Sequence, residues 1–147
     1  MSTDQIKSQP VIKQVTVNAP VEKVWKAITD KDEMKHWYFD FENFEPEVGF
    51  KFQFYGGTEE KQYLHLCEIK EVIPNKKLSY SWRYEGYPGD SLVTFELFGE
   101  DGGTRVKLTH EGLDSFPADK GDFTKGNFVE GWNDIIGRSL KEHVEKE

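Results

Sequence analysis

A chain of 147 residues, 36% hydrophobic and 14% aromatic, has the length of one domain and enough apolar surface for a single core, which excludes a disordered chain despite 31% charged residues. Lys and Arg number 19 against 27 Asp and Glu, and the resulting charge of −8 repels phosphate backbones and anionic headgroups, so neither nucleic acid nor a membrane surface is an expected partner. The single Cys67 excludes an internal disulfide; with no signal-like apolar core in MSTDQIKSQP and no apolar run of bilayer-spanning length, a cytoplasmic location without membrane insertion is expected.

In chain order, the β-branched run Val11 to Val17 predicts a strand. Pro20 suits a first helical position, and Val21, Val24, Trp25 and Ile28 follow at helical spacing. Asp30 is placed to cap a second short helix, Lys31 to Trp37, with Met34 and Trp37 on its apolar side. From Tyr38 to His110 the period becomes two. An aromatic strand is expected over Tyr38 to Phe44, then a turn over 45–49. A strand carrying Phe50, Phe52 and Phe54 follows, closed by a turn at Gly56-Gly57. Lys61 to Ile73 reads as a longer strand, and residues 74–77 as a turn. Leu78, Tyr80 and Trp82 mark the next strand; Val93, Phe95 and Leu97 follow the 85–90 loop. Glu100-Asp101-Gly102-Gly103 predicts a hairpin turn into Val106, Leu108 and His110.

The last element, Asp122 to Val144, is read as one long α-helix. Phe128, Val129, Trp132, Ile135, Ile136, Leu140, His143 and Val144 fall on one broad apolar face. A meander of strands with one apolar face and a helix with one apolar stripe are complementary, so the helix is expected to lie across a curved antiparallel sheet in an α+β domain spanning residues 1–147. Gly131 and Gly137 each cost this helix about 0.8–1.0 kcal/mol relative to Ala, a cost that makes sense where the helix must approach the sheet or bend.

Four segments in this order, VNAPVEKVWKAITDKDEMKHW (17–37), FEPEVGFKFQF (44–54), EVIPNKKLSYSW with VTFELFGEDGGTRVKLTHEGL (71–82 and 93–113), and EGWNDIIGRSLKEHV (130–144), cover most of the chain. Together they resemble the START-like, helix-grip superfamily, also called SRPBCC. Within it they resemble the AHSA-type family, related to the C-terminal domain of the activator of the heat-shock chaperone ATPase. The resemblance implies about seven antiparallel strands gripping the C-terminal helix, with a cavity between them that holds an apolar ligand, such as a lipid, in many relatives. No single activity is implied, because the superfamily includes carriers, cyclases, oxygenase domains and chaperone regulators. Cys67 stands where the family commonly has Gly, and a bulkier residue there would narrow the cavity.

On this arrangement the inward set, and hence the candidate ligand-binding set, is Trp25, Phe52, Phe54, Ile69, Tyr80, Trp82, Phe95, Leu108, His110, Trp132, Ile136 and Leu140. Most buried aromatics simply pack, but Tyr80, Trp82 and Trp132 carry polar tips able to orient a ligand or to satisfy one another. His36, His65, His110 and His143 have no metal-site spacing, so no metal and no cofactor is expected. His110 is in phase with Val106 and Leu108 and is expected to be buried and neutral; His143 suits a helix C-terminus. No catalytic residue is assigned: no carboxylate pair, GxSxG elbow, P-loop or GxGxxG is present, and Cys67 has no evident base.

The first functional expectation is non-catalytic binding of a small apolar or amphipathic molecule between sheet and helix. The alternative is an interaction module that engages a chaperone or other protein in a stress response. A weaker one is a cyclase- or hydrolase-like enzyme using His110 or a tyrosine. Phe39, Phe41 and Phe44 are candidates for an exposed interface patch, although a monomer is the expected state.

Overall fold

The computed structural model describes residues 10–38, 43–57, 62–87, 89–113 and 125–145. Strand β1 (Val11–Val17) is followed by two short helices, α1 (Val21–Thr29) and α2 (Lys31–Trp37). Pro20 serves as the N-cap of α1 and not as its first residue; its carbonyl accepts from the Lys23 and Val24 amides at 3.0 and 3.2 Å. Asp30 caps α2 as expected, its Oδ1 accepting the Asp32 amide at 2.8 Å. The Trp37 indole N–H donates to the Ala27 carbonyl at 2.8 Å, which locks α2 against α1.

Five further strands follow: β2 (Lys51–Gly57), β3 (Gln62–Ile73), β4 (Lys77–Tyr84), β5 (Ser91–Glu100) and β6 (Gly103–Glu111). All pairs are antiparallel, and the sheet order is β1-β6-β5-β4-β3-β2. The β5–β6 hairpin turns on Asp101 and Gly102, with φ of 46° and 84°, the left-handed pair that a two-residue turn between twisted strands requires. Gly56 and Gly57 continue β2 and do not turn, because both pair across to β3.

The described residues thus hold six strands where about seven were expected. Of the aromatic run read as a strand, residues 39–42, with Phe39 and Phe41, lie outside the described residues. Its ends are not strand. The Tyr38 amide donates to the Met34 carbonyl at the end of α2, and Phe44 is buried edge-on against Phe50 and Phe52 at 6.3 and 5.0 Å. Phe44 therefore belongs to the core and not to an exposed patch.

The C-terminal helix also departs from a regular α-helix. It runs as α3 (Lys125–Asp134), a π-helical turn (Ile135–Leu140) and α4 (Lys141–Glu145). Its buried side chains, Phe128, Trp132, Ile136, Leu140 and Val144, recur at every fourth residue. Four residues carry an α-helix roughly 40° past a full circle, so this stripe would wander by about 160° along a regular helix. The wider π turn takes up one residue and brings Leu140 and Val144 back over the sheet. Val129, expected on the buried face, is exposed, and Ile135 is half-buried. Gly131 is exposed, with nothing a Cβ would meet, whereas a Cβ on Gly137 would come within 3.2 Å of Lys13 Cε. Only the second glycine makes a close approach.

Candidate functional site

Alternation along the strands sets the face that the helix covers. Phe52 and Phe54 of β2, Tyr63, His65, Cys67 and Ile69 of β3, Tyr80, Trp82 and Tyr84 of β4, Val93 and Phe95 of β5, and Leu108 and His110 of β6 are all buried. Trp132 enters from the helix and meets Trp82, His110 and Phe95 at ring separations of 5.6, 5.8 and 6.4 Å. Phe54 lies 5.7 Å from Trp82, and Phe52 lies 5.2 Å from Tyr80.

Polar atoms run through this aromatic cluster as a continuous chain. The Trp132 Nε1–H donates to His110 Nδ1 at 3.0 Å. Since that nitrogen accepts, the proton of the neutral ring is on Nε2, which donates to Ser91 Oγ at 2.8 Å; Ser91 in turn donates to the Trp82 carbonyl at 2.7 Å. Burial, with His65 as a lesser influence, holds His110 down at about 3. Protonating Nδ1 would also set two donors against each other. Two further links lie beside the chain: Trp82 Nε1–H donates to Tyr84 Oη at 2.8 Å, and the hydroxyls of Tyr38 and Tyr80 are 2.6 Å apart. Burial pushes both of those phenols well above their ordinary range. His65 donates from Nδ1 to the Tyr63 carbonyl at 2.9 Å, stacks on Phe54 at 4.5 Å and is held by burial at about 4.

Of the residues expected at the site, Phe52, Phe54, Tyr80, Trp82, Phe95, His110 and Trp132 come together in this cluster. Ile69, Leu108, Ile136 and Leu140 are fully buried packing around it. Trp25 is half-buried at the edge of the core on α1, with its carbonyl accepting Thr29 Oγ1. Sequence reasoning passed over Tyr38, His65, Tyr84 and Ser91. The last three stand in phase with recognised inward residues of their own strands, a signal that was available; Tyr38 was expected to open a strand but caps α2 instead, so the strand phase expected there does not place it. His143, assigned only a dipole role, bonds Glu33 Oε1 at 2.7 Å and ties α4 to α2.

Chemically, the arrangement suits recognition better than proton transfer. Both His110 nitrogens are committed, so no lone pair is left to take a proton from a substrate. The gap bounded by Ile28, Met34, Trp37, Tyr38, Phe44, Phe52, Tyr80 and Phe95 has no room for a water molecule. A hollow of about 590 Å³ lies beside β2 and β3; it reaches Phe52 and Phe54 of the cluster and Cys67, and is otherwise bordered by residues such as Lys51, Tyr55 and Arg83. It is partly open to solvent and includes neither His110 nor Trp132. Among the described residues no three His, Cys, Asp or Glu converge as metal ligands, and no helix is long and apolar enough to cross a membrane.

A profile of the family described as activator of Hsp90 ATPase homolog 1-like protein matches residues 18–145. The chain belongs to that family. No curated protein matches it. Among solved structures, this family member is similar to DynU16, from the dynemicin biosynthetic locus, at 24% identity and a TM-score of 0.76 over 95% of this chain and 48% of that one. It thus spans about half the length of DynU16. It is also similar to protein MLL2253 from Mesorhizobium loti, at 24% identity, 93% and 97% coverage and a TM-score of 0.75. The Aha1 dimer from Colwellia psychrerythraea matches at 22% identity, 94% and 97% coverage and a TM-score of 0.69. These likenesses are of fold: a curved antiparallel sheet holding the C-terminal helix, the helix-grip arrangement.

Proposed function

We propose that the protein binds a small apolar or amphipathic molecule between the sheet and the C-terminal helix, without converting it. The observation that carries this reading is the concentration of polar tips inside an aromatic shell: Tyr38, Tyr80, Trp82, Tyr84, Ser91, His110 and Trp132 meet one another where purely apolar side chains would fill the same space. Each such group must be kept hydrogen-bonded at a cost in folding freedom, and core packing does not require it. An apolar site with a few convergent polar groups is the usual form of a small-molecule site. Because the gap beside Tyr38 and Tyr80 is filled, a ligand enters there by displacing a side chain.

Native mass spectrometry of the protein purified from cells, then extraction under denaturing conditions, tests the reading. The expected result is a specific excess mass that disappears on denaturation and returns with the extracted compound. Tyr80→Phe and Trp132→Phe, which keep most of the packing, should change uptake of that compound more than stability. A bare chain mass, together with no uptake from a panel of hydrophobic molecules, would overturn it.

A second reading follows from the family description: a module that engages a chaperone through its acidic surface. It predicts that charge reversal on that surface abolishes stimulation of a chaperone ATPase, while interior variants act only through folding.

A further inference from the structure

The Tyr38 ring sits between sheet and helix yet belongs to neither, since it follows the last residue of α2. It stacks on Trp37 at 4.9 Å and meets Trp132, Phe54 and Phe95 at 6.3, 6.4 and 6.5 Å. At its far end the hydroxyl lies 2.6 Å from that of Tyr80, a residue only 2% exposed. Trp37 is pinned independently, by its indole on the Ala27 carbonyl and by Ser139 Oγ, which donates to the Trp37 carbonyl at 2.7 Å. Tyr38 as a residue is half-buried whereas Tyr80 is buried, so of the two Tyr38 lies nearer the surface.

We infer that the Tyr38 ring occupies the seat of a ligand ring, and that the molecule taken up at this site is a hydroxylated aromatic whose phenol replaces that of Tyr38 against Tyr80. This inference rests on the binding reading above and names its ligand class. Among the described residues the seat has aromatic walls and, at its deep end, the Tyr80 hydroxyl. An aliphatic chain would leave the Tyr80 hydroxyl without a partner in a dry interior, and a carboxylate would bring an uncompensated charge there. A flat ring with a hydroxyl meets both conditions, as the resident side chain does. Tyr38 and the ligand then compete for one place, while Tyr80 serves whichever is present.

The test uses the full chain and three probes: p-cresol, toluene and octanoate. Binding is followed through the ring resonances of Tyr38 in protein carrying labelled tyrosine. The expected result is that p-cresol shifts the Tyr38 signals saturably and binds roughly three- to tenfold tighter than toluene, the difference one hydrogen bond makes. Tyr38→Phe and Tyr80→Phe remove the same bond, yet their effects should be opposite. Followed by tryptophan fluorescence, Tyr38→Phe weakens the competitor and tightens p-cresol; Tyr80→Phe removes the ligand's partner and erases the preference over toluene. A purely structural bond would make the two variants act alike, which would overturn the inference, as would equal binding of p-cresol and toluene by the unmodified protein. If octanoate alone displaces Tyr38, the phenol assignment fails and the binding reading stands. If none of the three moves Tyr38, this inference fails, and the binding reading is decided by the native-mass and uptake experiment above.

Discussion

The indole N–H of Trp132, on the C-terminal helix, donates to Nδ1 of His110, on the last strand, over 3.0 Å. This bond joins the helix to the sheet and also selects the tautomer that lets His110 reach Ser91. Its consequences for stability are measurable.

The first concerns pH. Burial holds His110 at about 3 and His65 at about 4, below the ordinary value of 6.5 that each regains on unfolding. Between these values the unfolded chain binds protons that the folded chain refuses. Stability from this source is therefore complete well above pH 6.5 and is lost as the pH falls, by about 3 kcal/mol per pH unit where both rings count, roughly pH 5.5 to 5, and by less below that as His65 takes up its proton in the folded state. Urea midpoints across this range should show the loss. His110→Gln should lower the slope by about half, and an unchanged slope would contradict the assignment.

Ser91→Ala removes the acceptor of His110 Nε2–H and the donor to the Trp82 carbonyl. The imidazole cannot escape by changing tautomer, because Trp132 already points a proton at Nδ1. Destabilisation of about 1–3 kcal/mol is expected from chemical denaturation, with no change in the denaturant slope.

The two helix glycines should respond differently. Gly131→Ala adds a methyl group into open space and should stabilise by about 0.8–1.0 kcal/mol. At Gly137 the same change meets Lys13 Cε at 3.2 Å, so thermal unfolding should show a smaller gain or a loss.

Cys67 is buried, and burial raises its thiol far above the ordinary value. With almost no thiolate at neutral pH, native protein should leave a disulfide reagent unreacted over the minutes in which unfolded protein reacts fully. Prompt reaction in the native state would show that the hollow beside β2 and β3, which Cys67 borders, admits the reagent to the thiol.

Much of this arrangement was legible in the residues. Alternation identified the inward faces of Phe52, Phe54, Tyr80, Trp82, Phe95 and Leu108, and phase alone brought His110 inside, because strand periodicity depends only on which neighbours face the same way. The partners of those groups were harder to read. Ser91 opens its strand, and its contact with His110 depends on the register of β5 against β6, which no local pattern specifies. Tyr38 reaches the core from a connection, so neither period applies to it. The π turn was written in the four-residue spacing of Phe128, Trp132, Ile136, Leu140 and Val144, but the flanking Val129, Ile135 and His143 blurred that spacing into an ordinary amphipathic face.

The π turn also bears on how this chain should be compared with its relatives. A helix that carries one residue too many between Trp132 and Leu140, and absorbs it locally, has the form of an insertion kept inside a regular element. A relative with an uninterrupted α-helix would be one residue shorter there. A gapless superposition of the two sequences would pair Leu140 and Val144 with residues from the solvent side, so the gap belongs within the helix and not in the loops around it.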